Sequence, residues 1–480
     1  MNKQAKIAIY PNNLKNWFLD RAKTPEIEDR KEGCISLSIL PSLRSSICGS
    51  FRAGLKTNFS SCLGITCFVF LVLCMGQLFS EEDPLNQESL QLETLIHEVL
   101  TRNPDLEAAR ERIQAAAEVV PRVQVIDDPE FRFMSDFNNF KSKSQFLPML
   151  QYQISQTFPF PGKLGLRGKI AEEIHKQFQN AKITTAKDLV LQTKKLYFKL
   201  VFNQSSLLIN ENNREIAKNI IDDSLSLYRS GIKGYEEVIK AQIELQTLDE
   251  ELLTIEAEHV FIVSMLNAIL NRSQNEPIGQ AVEVISSSNN LPLEPLEAIA
   301  LRKRPELKEL KAMVQEQEMM AKLAKREYFP DITIAAGYEQ MTNHLSDNAW
   351  EASVAFKIPL WAGLRQGRQF REAKAKAAAN ENALKGMEAM IRGQIQNILG
   401  KLTAIEEKLL LYETGLLPKI LEALKAAEIS YRTGKGDFLI LLDTRRQYQN
   451  IELTLEGLKA ERETLLAELE RAIGMPLEEI

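Results

Sequence analysis

The chain has 480 residues, of which 26% are charged, with a formal net charge of -6 and a pI near 5.7. No run of Lys and Arg stands out against this acidic balance, which excludes nucleic-acid binding, because neutralising phosphates requires clustered cations. All five cysteines (Cys34, Cys48, Cys62, Cys67, Cys74) lie near the N-terminus, so nothing beyond Cys74 can form a disulfide or offer a thiolate to a metal.

Residues 1–50 carry no hydrophobic periodicity, and a non-native or disordered extension from a start assigned too early is expected there. Residues 51–80 read as a signal peptide: Arg52 and Lys56 precede an apolar stretch, Leu63 to Met75, and cleavage is expected after Gly76 or Ser80. An uncleaved anchor is the alternative, since the stretch is short for a membrane span. Cys74 is a candidate lipidation site, although Leu73 is bulky for the position before a modified cysteine.

From residue 90 the chain states one pattern twice. Asn103-Pro104-Asp105-Leu106 returns as Arg304-Pro305-Glu306-Leu307, Phe158-Pro159-Phe160-Pro161-Gly162 as Ile358-Pro359-Leu360-Trp361-Ala362-Gly363, and Tyr228-Arg229-Ser230-Gly231 as Tyr431-Arg432-Thr433-Gly434. The offset is about 200 to 203, far longer than a solenoid repeat. The expected organisation is a first repeat over 90–290, with a helix, a β-hairpin over 130–158, a long helical hairpin over 163–270 and a linker. A second repeat over 291–474 follows, with a helix, a β-hairpin over 331–360 and a helical hairpin over 364–473, and 475–480 form a short tail.

The strands alternate in character. Trp350, Ala352, Val354, Phe356 and Ile358 share one face, and Glu351, Ser353, Ala355 and Lys357 the other; Ile332 to Glu339 and Leu150 to Phe158 behave alike, and Phe131, Phe133 and Phe137 oppose Arg132 and Asp136 more weakly. Strands of about ten residues, oily on one face and wet on the other, fit a transmembrane barrel around water, with Gln151, Gln153, Glu339, Glu351 and Lys357 toward the lumen. A soluble sandwich alternates in the same way. Four strands cannot close a barrel, and unpaired edges are untenable in hydrocarbon, so the barrel is expected to be shared, with three chains giving about twelve strands.

After Gly162 the chain stays helix-compatible to Tyr228, roughly 100 Å at 1.5 Å per residue. The returning limb places Ala241, Leu245, Leu248, Leu252, Ile255, His259, Ile262, Leu266 and Ile269 on a heptad seam. The second hairpin does the same with Ile391, Ile395, Ile398, Leu402, Ile405, Leu409, Tyr412 and Leu416, and Pro418 is expected to bend its descending helix. Tyr228 to Gly231 and Tyr431 to Gly434 end the descending limbs as tight turns. Arg229, Lys233, Glu236, Glu237, Arg432, Lys435, Asp437 and Asp443 surround them, either as a solvated tip or as a gate or partner surface.

These repeated residues, over about 90 to 474, resemble the TolC-type outer-membrane efflux proteins. The resemblance implies an α+β membrane protein. A homotrimeric twelve-stranded barrel, four strands per chain, sits in outer-membrane lipid, and a long α-helical coiled-coil barrel extends it into the periplasm. It implies docking to a periplasmic adaptor (a membrane fusion protein) and an inner-membrane pump of the resistance-nodulation-division or ABC class. It also implies a closing tip at Tyr431, Gly434 and Asp443 with Gly231 and Glu237, flanked by Tyr228, Arg229 and Arg432. Family gates carry Arg just after the second glycine, where this chain has Lys435 and Gly436. The run from Gln156 to Gly168 resembles the subgroup that partners heavy-metal exporters, although the histidines His97, His175, His259 and His344 are scattered and form no metal site.

No cofactor is expected and no enzyme, since phosphate-loop, His-Glu-x-x-His and Gly-x-Ser-x-Gly motifs are absent. Two rivals share these features: an exit duct for type I protein secretion, and a non-conducting coiled-coil stalk, which would have no use for two hairpins with matched tip turns.

Overall fold

The computed structural model describes residues 90–136, 149–282, 293–341 and 348–477. The expected N-terminal extension, signal peptide and Cys74, together with Phe137, His344, most of the two hairpin loops and the last three residues of the tail, lie outside them. The chain divides into two units, Met1–Glu82 and Asp83–Ile480, and all described residues belong to the second.

Where one helix is expected before each hairpin, two stand. Helix α1 (Leu92–Arg102) ends at Asn103, whose extended ψ of 126° precedes α2 (Pro104–Gln124). Proline disfavours the helical conformation in the residue before it but fits the first turn of the next helix. The Asn103 side chain accepts the Asp105 N–H, capping α2. Arg304, with ψ 127°, separates α5 (Leu293–Lys303) from α6 (Pro305–Arg326) in the same way.

Strands β1 (Glu130–Asp136), β2 (Met149–Phe158), β3 (Ile332–Met341) and β4 (Ala349–Phe356) form one antiparallel sheet in the order β1-β2-β3-β4. Register places Phe133, Tyr152, Tyr338 and Trp350 in one cross-strand row and Phe131, Ile154, Ala336 and Ala352 in the next. Both rows share a face, and within them the Phe133–Tyr152 and Tyr338–Trp350 ring pairs lie 5.2 and 5.0 Å apart. Trp350 is 83% exposed on it. An aromatic face left bare in the single chain is the opposite of a soluble sandwich core. β1 and β4 each present an open edge.

Helix α3 (Lys163–Arg229) runs 67 residues, starting where Gly162 adopts φ 91°. It returns as α4 (Tyr235–Ile269), and every expected seam residue of α4 is buried or half-buried. α4 is long and apolar enough by composition to cross a membrane. Acidic residues nonetheless punctuate it, among them Glu244, Asp249, Glu251 and Glu258. The second descending limb is not continuous: α7 (Gln366–Leu411) passes through a π-helical turn, Tyr412–Leu416, into α8 (Leu417–Arg432). Pro418 supplies no N–H to the Thr414 carbonyl, and the Thr414 hydroxyl bonds back to the Leu410 carbonyl at 2.6 Å, so the ladder widens just upstream of the proline. Ile391 to Ile405 are buried on the seam as expected, but Leu416, inside the widened turn, is exposed. Helix α9 (Phe438–Ile473) returns to Gly474 at φ 85°.

Beneath the sheet the helices lie side by side in the order α2, α3, α6, α7, following the strand order above. Both layers therefore end in an unpaired element on each side. One core cluster joins α1, α3 and α4 around Val99, Tyr197 and Leu270, and another joins α5, α7 and α9 around Leu296, Ile395 and Leu469. A third lies at the far end around Tyr431 and Phe438.

Candidate functional site

Two places concentrate polar chemistry: the second face of the sheet, and the turns that close the helical hairpins. On the sheet, Arg132, Gln153, Gly337 and Glu351 form one row, and Met134, Gln151, Glu339 and Ala349 the next. Gln151 Nε2 donates to Glu351 Oε2 at 3.3 Å, which ties β2 to β4 across the residues between them. Gln151, Gln153, Glu339 and Glu351 thus share the face opposite the aromatic rows. Lys357 falls one residue beyond β4, although its N–H still donates to the Asp331 carbonyl at 3.3 Å and prolongs the ladder.

The tip is built from both hairpins. Gly231 and Gly434, at φ 70° and 74°, let the chain reverse. Tyr431 is 1% exposed, packed edge-on against Phe438. Its hydroxyl lies 2.7 Å from Ser224 Oγ on α3 and donates to Glu237 Oε2 on α4 at 3.1 Å. Burial, first, and the neighbouring Glu237 and Asp223 carboxylates push the phenol up to about 12. Lys233 Nζ sits 5.9 Å over the Tyr431 ring, donates to the Gly436 carbonyl at 2.8 Å and pairs with Glu237 at 3.4 Å. Arg432 Nε donates to Asp223 at 3.1 Å. Tyr228 packs on Tyr235 with centroids 5.2 Å apart, and Arg229 and Lys435 are exposed.

The structure therefore gathers Tyr431, Arg432 and Glu237 and leaves Asp443 outside, where it accepts a 2.7 Å bond from Gln447 on its own helix. Ser224 and Asp223 were not legible as site residues, since they sit mid-helix and are some 200 residues distant in sequence from their partners. The cation facing the second turn is Lys233 from the first turn, not Lys435. Among the described residues no group of three His, Cys, Asp or Glu could hold a metal. His259 Nδ1 lies 3.1 Å from Asn203 Oδ1 within the α3–α4 packing.

A family described as "Outer membrane efflux protein" matches residues 298–475. The chain is 26% identical over 281 residues to the multidrug resistance outer membrane protein MdtQ of Escherichia coli O6:H1, a match over 54% of this chain and 58% of that protein. The match thus spans little more than half the length of the curated relative. Among solved structures it superposes on CusC with a TM-score of 0.72 at 18% identity, covering 81% of this chain and 93% of that one. It superposes on VceC of Vibrio cholerae with a TM-score of 0.69 at 16% identity, covering 81% and 97%. Over residues 298–475 the chain is thus similar to outer membrane efflux proteins, and its fold is that of the solved outer-membrane channels. The family model and the curated relative are both described as outer membrane proteins.

Proposed function

We propose that the protein is the passive exit duct of a tripartite efflux system. In this reading three copies join their four-stranded sheets into a twelve-stranded barrel, and the helices continue the duct toward a periplasmic adaptor and an inner-membrane pump. The observation that carries it is the sheet, whose aromatic face is exposed, whose other face is polar, and whose two edges are both open. In hydrocarbon each unpaired backbone group costs several kcal/mol, so such a sheet must be completed by copies of itself. The apolar residues left bare on α4, including Ile243, Leu253 and Phe261, then meet neighbouring helices, which fits the acidic residues between them better than lipid does.

The exported solute is proposed to be a small toxic compound or a heavy-metal cation, and the energy comes from the pump. In the closed duct, the two hairpins of each copy are held together at the tip by Tyr431 with Ser224 and Glu237, by Arg432 with Asp223, and by Lys233 with the Gly436 carbonyl. Planar-bilayer conductance with the mass in detergent tests the reading. A trimeric mass with a small conductance that rises in Arg432→Ala supports it, whereas a monomeric, non-conducting protein overturns it in favour of a stalk. Asp443→Asn should leave conductance unchanged if Asp443 acts only within its own helix, and should raise it if Asp443 bridges copies.

A further inference from the structure

The two strand-to-helix crossovers differ in how they are covered. At the first, between β2 and α3, Phe160 stacks on Phe329 with centroids 4.5 Å apart. Lys163, 4% exposed, donates to Asp331 Oδ1 at 2.7 Å and to the Phe329 carbonyl at 2.9 Å, and the Phe160 N–H donates to the same Asp331 oxygen. This seam joins the crossover after β2 to the segment before β3 and locks α3 beside α6.

The second crossover, between β4 and α7, has no such cover. Leu360 is 81% exposed, Trp361 73% and Leu364 62%, and Arg365, Arg368 and Arg371 follow without an ion pair among the described residues. At the opposite end of the sheet, the segment before β1 is its chemical complement. Val125 is 65% and Ile126 40% exposed, and the acids Asp127, Asp128 and Glu130 come next, of which Glu130 also accepts from Arg132 at 3.0 Å. By position, Leu364 follows Gly363 as Lys163 follows Gly162, while Asp128 and Glu130 flank Pro129 as Phe329 and Asp331 flank Pro330.

We propose that the turn from Leu360 to Arg365 docks on Val125 to Glu130 of a second copy, so that Trp361 and Leu364 cover Val125 and Ile126 while Arg365 meets Asp128 and Glu130. The inference rests on the shared-barrel reading and names the residues that join its copies. One apolar-and-basic end meeting one apolar-and-acidic end is a head-to-tail contact, which closes into a ring instead of a two-fold dimer. It also differs from the seam inside the chain: the cation moves from a buried lysine to an exposed arginine, which makes the junction between copies the salt-sensitive one.

Disulfide trapping tests it on the full chain with the five native cysteines replaced by serine. Leu364→Cys with Asp128→Cys should give a ladder of covalent dimer and trimer on oxidation, and neither single variant should. Arg365→Glu should weaken the trimer on dilution by about tenfold or more through like-charge juxtaposition, and adding Asp128→Lys should restore it. With Trp17→Phe and Trp350→Phe, emission from Trp361 should resist quenching by brominated lipid tails. A trimeric mass without a ladder, and with Trp361 quenched, overturns the seam in favour of a lipid contact and leaves the shared barrel standing. A monomeric mass removes both.

Discussion

Tyr431 shows how one residue converts packing into a link between distant segments. Its ring is buried with Phe438 while its hydroxyl joins α3 and α4 through Ser224 and Glu237. A buried phenol is held neutral, and its folded pKa, up to about 12, lies above the ordinary 10.0. The stability it contributes is therefore complete below pH 10 and is lost as pH rises from there toward about 12. The melting temperature should fall more steeply through that window in the parent than in Tyr431→Phe, and the variant should cost about 1 kcal/mol at neutral pH from the lost hydrogen bonds. Lys163 makes a second case. Lys163→Met strands Asp331 without its buried ammonium partner and should lower stability by about 2 to 4 kcal/mol, read as a lower melting temperature, whereas the exposed Arg229→Ala should change it by less than about 0.5 kcal/mol. The Tyr-x-x-Gly turns were visible in the sequence, because glycine after a helical run announces a left-handed residue. Their partners were not, because Ser224 and Asp223 are ordinary members of a helical pattern until tertiary packing brings them to Tyr431 and Arg432.

At the scale of elements, the strands and long helices were legible because their periods of two and three to four persist over many residues. Two features were not. The break at Asn103 was read through because proline is acceptable at a helix start and the apolar pattern continues across it. The π-helical turn was expected only as a bend, since Pro418 marks where the ladder fails but not how neighbouring carbonyls are satisfied. Between α3 and α4 the sequence hides a further device. Asn203 and Asn210, seven residues apart, donate to the carbonyls of Ile255 and Leu248, also seven apart, at 3.0 and 3.1 Å. The corresponding seam of α7 and α9 is apolar, built from Leu402, Ile405, Leu458 and Leu465. Polar seam residues in coiled coils fix register at some cost in stability. The double variant Asn203→Leu with Asn210→Leu should therefore melt no lower than the parent, yet lose its single register. Spin labels at the exposed positions Glu211 and Gln246 should show a broadened distance distribution, and an unchanged narrow one would assign register to the turn at Gly231 alone.

For the whole molecule, the open edges decide what the chain can be. The Lys357 N–H bonds toward β3, so by the two-residue alternation of an antiparallel ladder the N–H of Val354 faces away, into the open edge. Proline is tolerated on a true edge strand, where only solvent loses a donor, and is excluded where that donor is needed. Val354→Pro consequently separates two molecules that share this fold. In a free-standing chain it leaves the sheet intact and the mass unchanged. In a barrel closed by copies it removes a bond at each junction and should cut the trimer fraction at limiting concentration by about tenfold or more, at one to two kcal/mol per lost buried bond. Ala355→Pro, whose N–H points inward to β3, should damage the sheet in either case and serves as the reference for simple unfolding. A Val354→Pro protein that keeps the parental trimer mass and heat resistance would show that β4 is not a junction, and the duct would then have to be closed by its helices alone.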